Sequence, residues 1–187
     1  MADPLSGPLY VLDGVAPVVA EDAWIAPTAA VIGDVHIGPE SGIWFHCVLR
    51  GDVNAIRIGA RTNIQDCTLI HVNSAQFATL IGDEVTVGHS CILHACTLAD
   101  HAFVGMGATV LDGAVIEEGG VLAAGSLLTP NKRVGRNELW QGSPARAVVQ
   151  AGGVRSGRGR HGNGGQARGN GPPCGRTARA PRRPARG

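Results

Sequence analysis

The chain has 187 residues and a formal net charge of +1, but that near-neutral total hides two unlike parts. Residues 1–150 carry all 15 Asp and Glu against 7 Lys and Arg, whereas residues 151–187 carry nine arginines and no acid. No stretch approaches the roughly 18 uninterrupted apolar residues of a membrane-spanning helix, and the opening MADPLSGPLY lacks the charged and apolar regions of a signal peptide, so a cytoplasmic protein without a membrane partner is expected.

Residues 1–150 are long enough for one domain with a single core. Within them a period of six begins at Ile25. Aliphatic residues fall at Ile25, Val31, Ile37, Ile43 and Leu49, at Ile58, Ile64 and Ile70, at Ile81, Val87 and Leu93, and at Leu98, Val104, Val110, Ile116, Leu122 and Leu128. Four residues after each stands a second column of small or short side chains, running from Ala29 and Val35 through Val53, Ser74 and Thr97 to Ser126, with only Lys132 large. A helix repeats every 3.6 residues and an amphipathic strand every two; a period of six fits neither. It fits a parallel β-helix in which each hexad is a short strand plus a corner, three hexads close a coil, and the aliphatic residues of successive coils stack into one apolar column. The hexads of residues 25–130 make nearly six coils. The pattern resembles the hexapeptide-repeat, left-handed β-helix proteins. The handedness comes from that resemblance, since the general rule for parallel crossovers favours the right hand.

Three interruptions break the period: three extra residues before Ile58, five before Ile81 at roughly Gln76 to Leu80, and one residue missing before Leu98. Extra residues in a solenoid leave as loops. After Leu128 the repeat ends, and Leu139 and Trp140 are expected to cover an end or side of the prism. Cys47, Cys67, Cys91, Cys96 and Cys174 form no CxxC pair, so reduced thiols packed in the core are expected.

Hexads three apart stack, so the sequence alone places side chains above one another. Those beginning at Leu49, Ile70 and Leu93 share a face, and their second residues, Arg50, His71 and His94, point outward. Adjacent strands lie roughly 4.8 Å apart, so His71 and His94 form a two-histidine chelate. The hexads at Ile64 and Val87 lie on the preceding face and carry Asp66 and His89, which a second copy of the chain could bring to the same ion. A threefold trimer would then hold three His₃ sites, and three neutral imidazoles with an open fourth position describe a catalytic zinc site. His36, His46 and His101 match no stacked position and read as surface histidines.

The segments SGIWFHCVLRGD (Ser41 to Asp52), IGARTNIQD (Ile58 to Asp66), His71, VTVGHSCILHAC (Val85 to Cys96), VGMGATVLDGAVI (Val104 to Ile116) and GSPAR (Gly142 to Arg146) resemble the gamma-class carbonic anhydrase-like family, over residues 20–150. The resemblance implies a homotrimer, zinc (with Fe²⁺ or Co²⁺ as other occupants) held by His71, His89 and His94, and hydration of CO₂ to bicarbonate by metal-activated hydroxide. It implies an interface ion-pair network for Arg50 and Asp52, and places Gln65 and Asp66 beside the metal, Gln65 orienting the nucleophile. A purely structural Arg50–Asp52 bridge is the alternative, and a bidentate arginine can also hold bicarbonate. Two positions depart from the best-known active members, which carry proton-shuttling carboxylates there: Val53 follows Asp52, and the loop VNSAQFATL holds no acid. A metal-binding scaffold without turnover is therefore a second expectation. A hexapeptide acyltransferase or CoA thioesterase is a third, because fold alone does not settle function.

Residues 151–187 hold 11 Gly and 4 Pro and too few apolar side chains to offset ordering entropy, so disorder is expected. The family usually has an amphipathic helix at this point, and the composition is what out-of-frame translation of GC-rich DNA would give. The arginines would bind phosphate nonspecifically, with no aromatic for stacking and no specific nucleic-acid partner.

Overall fold

The computed structural model describes residues 7–74 and 76–148. Within them no helix forms and none is long and apolar enough to cross a membrane. The chain is an all-β parallel β-helix of hexapeptide repeats with three faces. The first face stacks Trp24–Ile25, Gly42–Ile43, Asn63–Ile64, Thr86–Val87, Phe103–Val104, Val121–Leu122 and Leu139–Gly142 in parallel. The second face runs from Leu9–Tyr10 through Leu69–His71 and Ile92–His94 to Leu127–Leu128, and the third from Val18–Val19 through Thr79–Ile81 to Arg133–Val134. Two long strands, Ala30–Ile37 and Val48–Ile58, bend from the second face to the third and join them into one 12-stranded sheet.

Each face therefore carries seven rungs, one coil more than nearly six. The extra length lies at both ends, where residues 9–19 add strands before Ile25 and residues 133–140 add strands after Leu128. Leu139 and Trp140 are the seventh rung of the first face. Trp140 lies in register with Leu122 and packs on the end of the core, while Leu139 is exposed, and Ala145–Ala147 folds back antiparallel on this strand.

All seventeen predicted aliphatic residues are buried in one column, each contributing roughly 1.5–3 kcal/mol of transfer free energy. The corner column also fastens coil to coil through hydroxyls. Ser41 donates to the Gly59 carbonyl (2.7 Å) and accepts from the Thr62 amide (2.9 Å); Thr62 and Thr68 repeat the pattern toward Gly82 and Gly88. Beside it, the residue three after most aliphatic positions has a left-handed backbone, from Glu40 (φ 56°) to Asn137 (φ 55°), which explains the glycines at 107, 113, 119 and 125.

The interruptions move that column. Val53, Ser74 and Thr97 do not turn corners: Ile56, Thr79 and Cys96 stand in their places, all buried. A corner is set two residues before the next aliphatic residue, and this agrees with four residues after the previous one only where the period is unbroken. The first insertion does not leave as a loop. Gly33 pairs with Gly51 and Val35 with Ile56, so residues 52–55 bulge out of a continuous strand opposite Asp34 alone. The second insertion leaves the coil after the buried Val72 and is closed by an Asn73 amide bond to the Phe77 carbonyl, and Leu80 belongs to the strand Thr79–Ile81 instead. The missing residue tightens the turn at Ala95, buried at φ 49°.

Cys47, Cys91 and Cys96 are buried thiols, as expected, and burial pushes Cys96 up to about 12; Cys67 departs by lying exposed on a corner. Cys174 and the expected disorder of residues 151–187 lie outside the described residues.

Truncating Ile56 to Ala, at a fully buried position, is expected to cost about 2–5 kcal/mol in denaturant unfolding. The same truncation at Val53, 52% exposed, should cost within about 0.5 kcal/mol.

Candidate metal centre

All three interruptions follow second-face hexads, at Leu49, Ile70 and Leu93, so they fall on the corner where the second face turns into the third. His71 and His94 point outward beside that corner in direct register. Their rings are tilted by 58° with centroids 5.1 Å apart, and Nδ1 of His71 lies 3.1 Å from Nε2 of His94.

The remaining nitrogen of each ring is held by a carboxylate. Asp52, on the bulge, takes Nε2 of His71 at 2.9 Å, and Asp112, one coil beyond His94, takes Nδ1 of His94 at 2.5 Å. Gly51, beside Asp52, lets the two long strands approach closely at the bulge, because a Cβ there would collide with the Asp34 carbonyl. Burial acts to raise the Asp52 carboxyl, but the His71 hydrogen bond, the backbone and the Arg50 and His71 charges together hold it below its ordinary value. The Asn73 amide lowers Asp112, against burial, and His94 adds to the effect.

A carboxylate bound to one nitrogen fixes the proton there. With both rings neutral, the facing nitrogens, Nδ1 of His71 and Nε2 of His94, then both present lone pairs, and at 3.1 Å a shared proton or a metal cation between them relieves the repulsion. Two nitrogens on one tetrahedral zinc, each at 2.0–2.1 Å, stand about 3.3 Å apart. The pair therefore fits a metal ion.

His89 lies on the corner between the first and second faces, at the opposite edge of the second face from His71 and His94. Its Nδ1 is 2.9 Å from Asp66 Oδ2, and its side chain is half-exposed. Among the described residues of one chain, no group of three His, Cys, Asp or Glu could hold a metal. Arg50 pairs with Asp52 in the same chain, and Gln65 precedes Asp66 at the edge that carries His89. His36 lies 3.7 Å from Asp34 and His101 3.5 Å from Glu84, while the His46 amide bonds Thr28; all three are away from this pair, as expected of surface histidines.

Sequence reasoning missed Asp112 and Asn73. Asn73, at the root of the second insertion, donates to Asp112 Oδ2 at 2.7 Å. Counting coils one further, to the hexad at Val110, would have placed Asp112 beside His94.

A three-faced solenoid with stacked outward histidines defines a hexapeptide-repeat protein. No family model matches the chain. It is 54% identical over 136 residues to "Gamma carbonic anhydrase 1, mitochondrial" of Arabidopsis thaliana, which covers 70% of this chain and 50% of that protein, and 44% identical over 140 residues to the "Carbonic anhydrase" of Geobacillus kaustophilus, covering 75% and 76%. The solved structure of a hexapeptide transferase family protein from Anaplasma phagocytophilum matches with a TM-score of 0.73 and 53% identity, over 77% of this chain and 84% of that one. The chain thus belongs to the gamma carbonic anhydrase-like family of hexapeptide-repeat proteins. It spans about half the length of the Arabidopsis relatives it matches.

Asp52 and Asp112 titrate below the ordinary aspartate value of 3.8, so the unfolded chain binds the extra protons. The stability they supply is fully present above 3.8 and is lost as pH falls through the lowered folded values. The melting temperature of metal-free protein should fall below about pH 4, and Asp112→Asn should fall less steeply than the parent; parallel curves would contradict the Asp112 contacts.

Proposed function

We propose that the chain is a subunit of a zinc-dependent gamma-type carbonic anhydrase that interconverts CO₂ and bicarbonate at a site shared across a homotrimer interface. The facing ring nitrogens of His71 and His94, with their outer nitrogens tied to Asp52 and Asp112, carry this reading. His71 Nδ1 and His94 Nε2 would supply two ligands, and Nε2 of the partner subunit's His89 the third. Val48, Leu69 and Ile92 stack as an exposed apolar column on the second face, with Phe45 and Met106 exposed on the corner near His89. Such a patch favours a covering neighbour, and docking that corner against the next subunit's His71 and His94 would bring Gln65 and Asp66 along.

Bound zinc supplies the acidification of water, to a pKa of about 7, that gives a nucleophile at neutral pH. Asp52, Asp112 and Asp66 each hold a histidine in one tautomer and orientation. Gln65 would orient the attacking oxygen by its amide, and Arg50, paired with Asp52, would fix the bulge at the rim and offer a donor to bicarbonate.

Metal binding without turnover is favoured by one observation: half-exposed Val53 and the acid-free sequence VNSAQFATL offer no carboxylate to carry protons away. An acyltransferase needs one histidine set alone as a base toward its substrate, whereas the facing nitrogens of His71 and His94 converge on one point, which suits an ion. The transferase name of the Anaplasma relative therefore carries less weight than this geometry.

Purified protein should be a trimer with about one zinc per chain, and metal-loaded protein should hydrate CO₂ in a stopped-flow assay at a rate that rises with the concentration of an imidazole buffer. Loaded protein no faster than metal-free protein would leave the scaffold reading. His89→Ala and His71→Ala should each abolish metal binding, and mixed trimers of the two should recover part of it. Mixed trimers that form and stay empty would rule out the shared site.

A further inference from the structure

The Asp112 carboxylate joins two things the sequence keeps apart, a histidine at the end of one strand and an asparagine at the root of an insertion. Oδ1 takes the His94 Nδ1–H at 2.5 Å and Oδ2 takes the Asn73 amide at 2.7 Å. Asn73 in turn offers its backbone carbonyl to the Asn54 side chain at 3.2 Å, and Asn54 lies on the bulge that carries Asp52. From this geometry we infer that Asp112 is a positioning residue for the metal site, and that Asn73 aims it, so that both insertions set the orientation of the two second-face histidines. The inference rests on the metal reading above.

The two positioning carboxylates come from opposite sides. Asp52 reaches His71 from the coil before it, and Asp112 reaches His94 from the coil after it, so each ring is turned with its free nitrogen toward the other. Without Asp112, the His94 ring would be free to move its proton to Nε2, the atom that should ligate. Loss of such an outer partner typically weakens metal binding 10–100-fold. The role is separable from folding: the backbone carbonyl of Asp112, not its side chain, takes the Asn131 amide, and the side chain is about one third exposed.

Cobalt(II) is the probe, with affinity measured by chelator competition and geometry by the visible absorption of the bound ion. Asp112→Ala should bind cobalt about 10–100-fold more weakly, with a changed band. Asp112→Asn keeps an oxygen for His94 Nδ1–H, and Asn73 can turn its amide to meet the new donor, so this variant should stay within about fivefold of the parent with the parent's band. Asn73→Ala should fall between the two. A metal-free readout runs beside it: in ¹⁵N NMR of labelled histidines, His94 Nδ1 should carry a proton in the parent and in Asp112→Asn, and lose it in Asp112→Ala.

Asp112→Ala protein that binds cobalt as tightly as the parent with an unchanged band, or that keeps the parent's His94 tautomer, overturns the positioning role. Parent protein that takes up no cobalt while the tautomers shift as expected upholds that role and overturns the metal reading instead.

Discussion

Two imidazole nitrogens that face each other at 3.1 Å are the constraint on which the candidate site depends. Neither imidazole can turn away, because its outer nitrogen is bound to a carboxylate. The solenoid sets the spacing: adjacent coils are fixed by backbone hydrogen bonds and a buried aliphatic column, so outward side chains in register are brought close at no further cost. The fold supplies the distance, and the departures from the fold supply the carboxylate and amide that exploit it.

Those departures are confined to one corner. The regular repeat alone already sets an outward third-position carboxylate beside a histidine of an adjoining coil, Asp66 beside His89 and Asp112 beside His94, and the departures add to it. The four-residue bulge at 52–55 sends Asp52 to His71, and the second insertion brings Asn73 to Asp112. Repetition stabilises the scaffold, while its local failure completes the site.

Much of this was legible in the sequence, because a period of six admits few folds and stacking three hexads apart is arithmetic. That arithmetic put His71 above Arg50 and below His94, and it placed His89 and Asp66 together on the neighbouring edge. It failed at the interruptions. Val53, Ser74 and Thr97 were assigned to corners that Ile56, Thr79 and Cys96 occupy, since a count carried forward from the last aliphatic residue cannot know where an insertion is spent. The terminal coils were missed because residues 9–19 keep the register with poor side-chain periodicity. Asp112 was missed because the count of coils stopped at His94, and Asn73 because its partner lies 39 residues away across an insertion.

The proposed function turns on one claim above the rest, that a metal would be held between chains. Diffraction from crystals of zinc-loaded protein at the zinc absorption edge addresses it directly. An anomalous peak within bonding distance of His71 Nδ1 and His94 Nε2 of one chain and His89 Nε2 of the next is the expected result. A peak bound by the histidines of a single chain, or one that leaves His89 uncoordinated, would contradict it.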